Sequence, residues 1–417
     1  ELQGLTTEEV CERFIKPLTF NDETSYCERL QSTSPGEVGE ANAFISHVWS
    51  FKFLEVVDLL ENHFEKENKD KDKETIIWMD IFQNNHHSRI ADFEGWKETS
   101  LKEVKNIGRT VMVLSPWQDP LPLTIDRCVW ELFFTFSTKS KLEIAMTGES
   151  KKQFVEDMLR DPEGEMNEML AKIDVGRSGC DFPSEDKDKD KDKEKKEKEK
   201  VISRLNSLVF EKMREWSIET MKEELRLIER EERELRESKP TNHSEEEMQE
   251  LLLKKVDFEN SLAGLYSHQG RFSECESLYV GCLQCQRDLL GNNHPNTLST
   301  MNNLGLLYAD QGRYGESEAL LVECLNRTRD LLGEKHPETL TSMNNLGQLN
   351  FDQGKYGESE VLLAGCLKMR RKVLGDNHPD TLLTMNNLGW LHTDQGRYSE
   401  SEPLLVECYQ LRKEVLG

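Results

Sequence analysis

Within Asp126-Arg127-Cys128-Val129-Trp130-Glu131-Leu132, Glu131 is the side chain best placed for chemistry. It follows an apolar run, Thr110 to Leu114, that ends at Ser115-Pro116-Trp117 and a loop holding Pro120 and Pro122. An apolar run without alternation reads as a strand buried on both faces, and the prolines force a break before a helix can start. In open parallel sheets the ligand crevice lies beyond the carboxyl ends of the strands. Glu131 is therefore expected at a pocket rim, against the alternative of a solvated helix glutamate. Two other constellations fare worse. His47, His86, His87 and Asp80 match no metal-ligand spacing, so no metal is assigned. Ser46 with a histidine and Asp80 lacks the glycines of a nucleophile elbow.

The elements that must position Glu131 run from Asn42. Ala43 to Val48 and Thr75 to Asp80 read as strands, as do Thr110 to Leu114 and Leu142 to Met146. Helical spacing lies between them, at Phe53 to Phe64, Ile90 to Ile107 and from Asp126 onward. Alternating strands and helices predict a parallel sheet covered on both faces, in flavodoxin-like order. Ahead of it, Thr6-Thr7-Glu8-Glu9 is a capping box opening a short helix that Pro17 closes.

The set Ala43-Phe44-Ile45-Ser46-His47, Trp78-Met79-Asp80, Val113-Leu114-Ser115-Pro116 and Cys128-Val129-Trp130-Glu131-Leu132 resembles the Toll/interleukin-1 receptor (TIR) domain over about Asn42 to Val175. The resemblance implies a catalytic glutamate at position 131 that cleaves NAD, as substrate and not cofactor, to nicotinamide and ADP-ribose or its cyclic form. Such a bond break develops positive charge on the ribose, which a fixed carboxylate stabilises. Phe44, Ser46, His47, Trp49, Asp80, Trp117 and Trp130 are the nucleotide-binding candidates. The aromatics have an alternative as packing for the sheet. The order Cys128-Val129-Trp130 departs from the family's Trp-Cys. It supports a second reading, a non-enzymatic adaptor that acts by self-association and protein binding.

With 54 Lys+Arg against 79 Asp+Glu, the formal charge of −25 repels phosphate backbones and argues against nucleic acid. No apolar run reaches membrane-spanning length, and ten cysteines without dense spacing predict a reduced, cytoplasmic protein. The start at Glu1 without methionine reads as an excised piece.

From Asp186 the chain alternates Asp and Lys, reads as a solvated hinge, and continues into a connector helix over Val201 to Glu237 that Pro240 stops. An internal repeat then takes over. Gly270, Gly312, Gly354 and Gly396 lie 42 residues apart, as do Leu262, Leu304, Leu346 and Leu388. His294, His336 and His378 keep the same period, each followed by proline. Units of this length must stack to bury their apolar faces, which makes an α-solenoid.

These units resemble the tetratricopeptide repeats of kinesin light chain in Asn-Asn-Leu, Gln-Gly-Lys-Tyr and Leu-Gly-x-x-His-Pro. The resemblance places Asn303, Asn345 and Asn387 on the concave face, where they would hold an extended peptide; bonding between repeats is the alternative. It also raises a motor-cargo adaptor as a third reading, although the chain offers no heptad run beyond the connector helix. Cys282, Cys324, Cys366 and Cys408 share the period and read as small core residues. The expected organisation is a helical arm (1–41), a TIR-like domain (42–178), a hinge and connector helix (179–250) and four helix pairs (251–417), with more repeats to follow.

Overall fold

The computed structural model describes residues 2–20, 24–68, 75–83, 93–118, 120–172, 191–237 and 244–416. His86 and His87, most of the charged spacer before Thr75, the Asp-Lys run up to 190, and Pro240 lie outside them. The chain divides into two compact units, Glu1–Thr220 and Met221–Gly417.

The first unit opens with α1 (Thr7–Val10), a π-helical turn (Cys11–Ile15) and α2 (Lys16–Thr19). Thr6 caps α1 by accepting from the Glu9 backbone while the Glu9 carboxylate accepts from Thr6 N at 2.9 Å. The helical path runs through Pro17, which takes a first-turn position in α2, where its missing N–H costs nothing. Ser25 builds a second capping box on α3 (Tyr26–Thr33).

Four parallel strands follow in the order β2-β1-β3-β4: β1 (Ala43–Ser46), β2 (Ile77–Trp78), β3 (Arg109–Val113) and β4 (Lys141–Ala145). All of β1 and nearly all of β3 are buried, as uninterrupted apolar runs require. The run Thr75–Asp80 yields only two strand residues, because Asp80 opens the short α5 (Asp80–Gln83). Helices α4 (Phe53–Asn68), α6 (Phe93–Ile107) and α7 (Asp126–Ser137) connect the strands, with α8 (Gly148–Arg160) and α9 (Pro162–Lys172) after them. Val10, Cys11 and Ile15 share one core cluster with Ala43, Ile45, Leu60, Val111 and Val113, so the N-terminal arm packs on the sheet.

Helix α10 (Lys191–Glu237) begins ten residues earlier than the expected Val201, within a Lys/Glu stretch whose four-apart pairs are complementary at Glu194 and Lys198. The second unit then holds four helix pairs: α11 (Ser244–His268) with α12 (Phe272–Leu290), α13 (Pro295–Asp310) with α14 (Tyr314–Leu332), α15 (Pro337–Asp352) with α16 (Tyr356–Val373), and α17 (Pro379–Asp394) with α18 (Tyr398–Leu416).

The repeated residues explain why these helices start, stop and stack where they do. His294, His336 and His378 are N-caps whose Nδ1 accepts a backbone N–H two residues on, and the proline after each takes the first helical position. Gly312 turns between helices at φ +73°, in the left-handed region that favours glycine. The thiols of Cys324, Cys366 and Cys408 reach carbonyls of Leu298, Leu340 and Leu382 at 3.1–3.4 Å. Gly347 lets α16 come close: a Cβ there would lie 2.9 Å from Leu363. Adjacent repeats are stapled by Arg313 to Glu276, Lys355 to Glu318 and Arg397 to Glu360 at 2.7–2.9 Å.

Candidate functional sites

The carboxylate expected at a pocket rim is buried. Helix α7 points Glu131 at the end of β1, where Ser46 Oγ donates to its Oε2 at 2.6 Å, and only 5% of the residue is exposed. Burial, reinforced by nearby Asp80, pushes its carboxyl up to about 8; the Ser46 bond and Arg127 pull the other way. Asp80 is itself buried and accepts from Trp49 Nε1 at 2.8 Å through one oxygen, while its other oxygen has no hydrogen-bond partner among the described residues. His47 is also buried, which lowers its pKa against the opposing pull of Asp80, and its Nε2 has no hydrogen-bond partner there either.

Ser46, His47, Trp49, Asp80 and Glu131 are thus linked by bonds and charge. The remaining candidates pack elsewhere. Phe44 stacks on Trp78 at 4.5 Å. Trp117 is fully buried against Phe154, with its Nε1 donating to Asp157 at 3.2 Å. Trp130 lies among Phe133 and Phe134 beneath Lys97. For these three the sheet-packing alternative describes the contacts. Sequence reasoning passed over Arg127 and Cys128, whose signal was helical spacing: Arg127 is one turn before Glu131. Cys128 donates to the His47 carbonyl at 3.5 Å, and burial holds its thiol well above the ordinary range.

In the second unit the carboxamides form a chain. Asn387 Nδ2 donates to Asn344 Oδ1 (3.4 Å), Asn344 Nδ2 to Asn345 Oδ1 (3.4 Å), and Asn345 Nδ2 to Asn302 Oδ1 (3.2 Å). The chain crosses α17, α15 and α13. Asn345 and Asn387 belong to it, whereas Asn303 takes no part; Asn302 and Asn344, which the sequence reading left out, supply the other links. Each amide has two N–H groups and two carbonyl lone pairs. A chain of this kind uses only part of that capacity. Bonding between repeats and holding a peptide are therefore compatible roles.

The Tetratricopeptide repeat family model matches residues 257–326, 299–363 and 344–414. This part of the chain is a run of tetratricopeptide repeats. No curated protein matches the chain. Among solved structures, BtubC (BKLC) from P. vanneervenii is 18% identical, with 64% of this chain and 91% of that one covered and a TM-score of 0.40. A Podosopora anserina structure named for kinesin light chain and its nearly identical TPR-like repeats is 21% identical over 51% and 97%, at 0.37. A Rap protein complexed with Competence and Sporulation Factor is 12% identical over 77% and 77%, at 0.40.

Two further features bear on chemistry. Among the described residues, Glu360, His392 and Glu400 bring ligand atoms within 4.8 Å of one another, but Arg397 bonds both carboxylates and makes this an ion-pair cluster. No described helix is long and apolar enough to cross a membrane.

Proposed function

We propose that this protein is a protein-binding scaffold whose tetratricopeptide repeats hold an extended peptide segment of a partner. The hydrogen-bonded carboxamides of Asn302, Asn345, Asn344 and Asn387 carry this reading. An extended chain offers alternating N–H and C=O groups, and primary amides answer both without regard to side-chain sequence. Because the amides are already tied to one another, little side-chain entropy is left to lose on binding. Selection of peptides on the immobilised full chain, followed by titration against Asn345→Ala, tests it. Binding lost in the variant at a temperature where it stays folded supports the reading; binding that ignores the substitution removes it.

The first unit supports a second reading, a TIR-like domain. Its strand order matches the first four strands of a flavodoxin-like sheet, and Glu131 is joined to Ser46 beside Asp80. In this reading NAD is cleaved to nicotinamide and ADP-ribose, linear or cyclic, or the domain only self-associates. A buried, largely neutral Glu131 must lose its proton before it can stabilise an oxocarbenium-like sugar. Approach of that positive charge would lower its pKa and draw the proton off. Nicotinamide release by the full chain, abolished in Glu131→Gln and Glu131→Asp, tests catalysis; equal release in the variants rules Glu131 out. A cytoplasmic location fits both readings.

A further inference from the structure

On α17 the residues Leu383, Asn387, Trp390 and Asp394 follow one another by four, three and four positions, which places them on one helix face. The same register on α15 gives Thr341, Asn345, Gln348 and Asp352, and on α13 Ser299, Asn303, Leu306 and Asp310. Asn345 and Asn387 of this face each donate to the helix one repeat back, at Asn302 and Asn344 beside the face. Two properties of the face go beyond peptide holding as such. The aspartates at the helix ends are exposed and recur in one register, and partial desolvation raises the Asp352 carboxyl, with the Gln348 bond opposing and the charge of Asp310 adding a smaller push upward. The face also presents Trp390 at 56% exposure and Leu383 at 43%, large apolar side chains left open to water.

We infer that the occupant of this face is a basic, extended peptide that sets lysine or arginine against Asp310, Asp352 and Asp394 and an apolar side chain against Trp390 and Leu383. The inference rests on the peptide-holding reading above. Charge selects the sign: a row of like carboxylates is relieved by cationic side chains and opposed by acidic ones. Trp390 adds a ring face for the aliphatic stem or the charge of a lysine or arginine. Spacing follows from geometry. Neighbouring parallel helices stand about 10 Å apart, and an extended chain of polyproline II type advances about 3.1 Å per residue with three residues per turn, so that every third side chain falls on one face. Basic side chains therefore recur at about every third residue.

The test uses the full chain and two labelled peptides of roughly four repeats' length, about twelve residues. One carries lysine at every third position around a central leucine, and the other has glutamate in place of lysine. Fluorescence anisotropy should show binding of the lysine peptide alone, weakening steeply as salt approaches about 1 M, where screening acts within about 3 Å. Each of Asp310→Asn, Asp352→Asn and Asp394→Asn should weaken it about two- to fivefold, and Trp390→Ala should weaken it as well. If the glutamate peptide binds equally or better and still depends on Asn345, the charge assignment is overturned and peptide holding stands. If neither peptide binds, both fall. Affinity for the lysine peptide that the three aspartate variants leave unchanged also overturns the proposal.

Discussion

Asn345 donates a hydrogen bond to Asn302 at 3.2 Å, joining two helices that lie one repeat apart. The two residues are 43 apart in sequence, one more than the repeat period, so the bond pairs the second asparagine of one Asn-Asn step with the first of the preceding one. Asn387 and Asn344 repeat the offset. Replacing Asn344, the buried middle link, by Ala should therefore disturb both neighbours. It removes one hydrogen bond from each of Asn387 and Asn345 at a cost of about 1–3 kcal/mol in all. Asn303→Ala, outside the chain, should change stability by less than about 0.5 kcal/mol. Chemical denaturation of the two variants distinguishes them, and equal losses would contradict the offset.

Close helix approach at Gly347 predicts a steric penalty. An added methyl at Gly347 falls 2.9 Å from the fully buried Leu363. Gly347→Ala should cost about 1–3 kcal/mol despite alanine's better helix propensity. Pairing it with Leu363→Ala should recover part of that loss in a double-mutant cycle. Strict additivity would show that the two side chains do not meet.

Arg370 is buried, 1% exposed, and its guanidinium donates to the Asp380 carbonyl, Thr384 Oγ1 and Thr341 Oγ1 at 2.7–2.9 Å. It joins α15, α16 and the start of α17. Arg370→Met keeps most of the volume yet strips three acceptors of their donor, so we expect a loss of about 2–4 kcal/mol. A thermal melt of the full chain should show the transition of the repeats moving down, with the other transition unmoved. No movement would mean that the bonds contribute nothing net.

Glu131 ties stability to pH. Its carboxyl is ordinary, 4.5, in the unfolded chain and about 8 when folded, through burial first and Asp80 second. Below pH 4.5 both states hold the proton, and the stabilisation is fully present. As pH rises the unfolded chain releases it first, so this contribution is lost progressively up to about pH 8 and is level beyond. His47 acts in the opposite sense, because burial lowers its pKa. The difference between the protein and Glu131→Gln isolates the glutamate: the substitution should flatten the decline from pH 5 to 8 and leave the variant the more stable at pH 8. Parallel pH profiles in denaturant unfolding would contradict the raised pKa.

Much of this architecture could be read from residue order, and the reasons for the misses are physical. The 42-residue period located every helix pair, because stacking demands the same small, apolar and turn residues at each turn of the solenoid. Strand positions followed from apolar runs, yet β2 came out shorter than its run, since hydropathy does not say that Asp80 will start a helical turn. Glu131 lies on the helix that its spacing predicted, but its burial depends on β1 supplying Ser46 as partner, a contact 85 residues away that no local pattern encodes. Asn302 and Asn344 were missed for a similar reason. A helix period gives a face, whereas the partner of each amide is fixed by the offset between repeats.

The central claim is that the carboxamide row grips a peptide main chain. Its most direct measurement is calorimetric titration of the full chain and its Asn345→Ala variant with a peptide selected on the unmodified protein, alongside the same peptide N-methylated at its central backbone amides. Loss of about tenfold or more in affinity is predicted both for Asn345→Ala and for the methylated peptide, since each deletes main-chain hydrogen bonds. Undiminished affinity in both would contradict the claim.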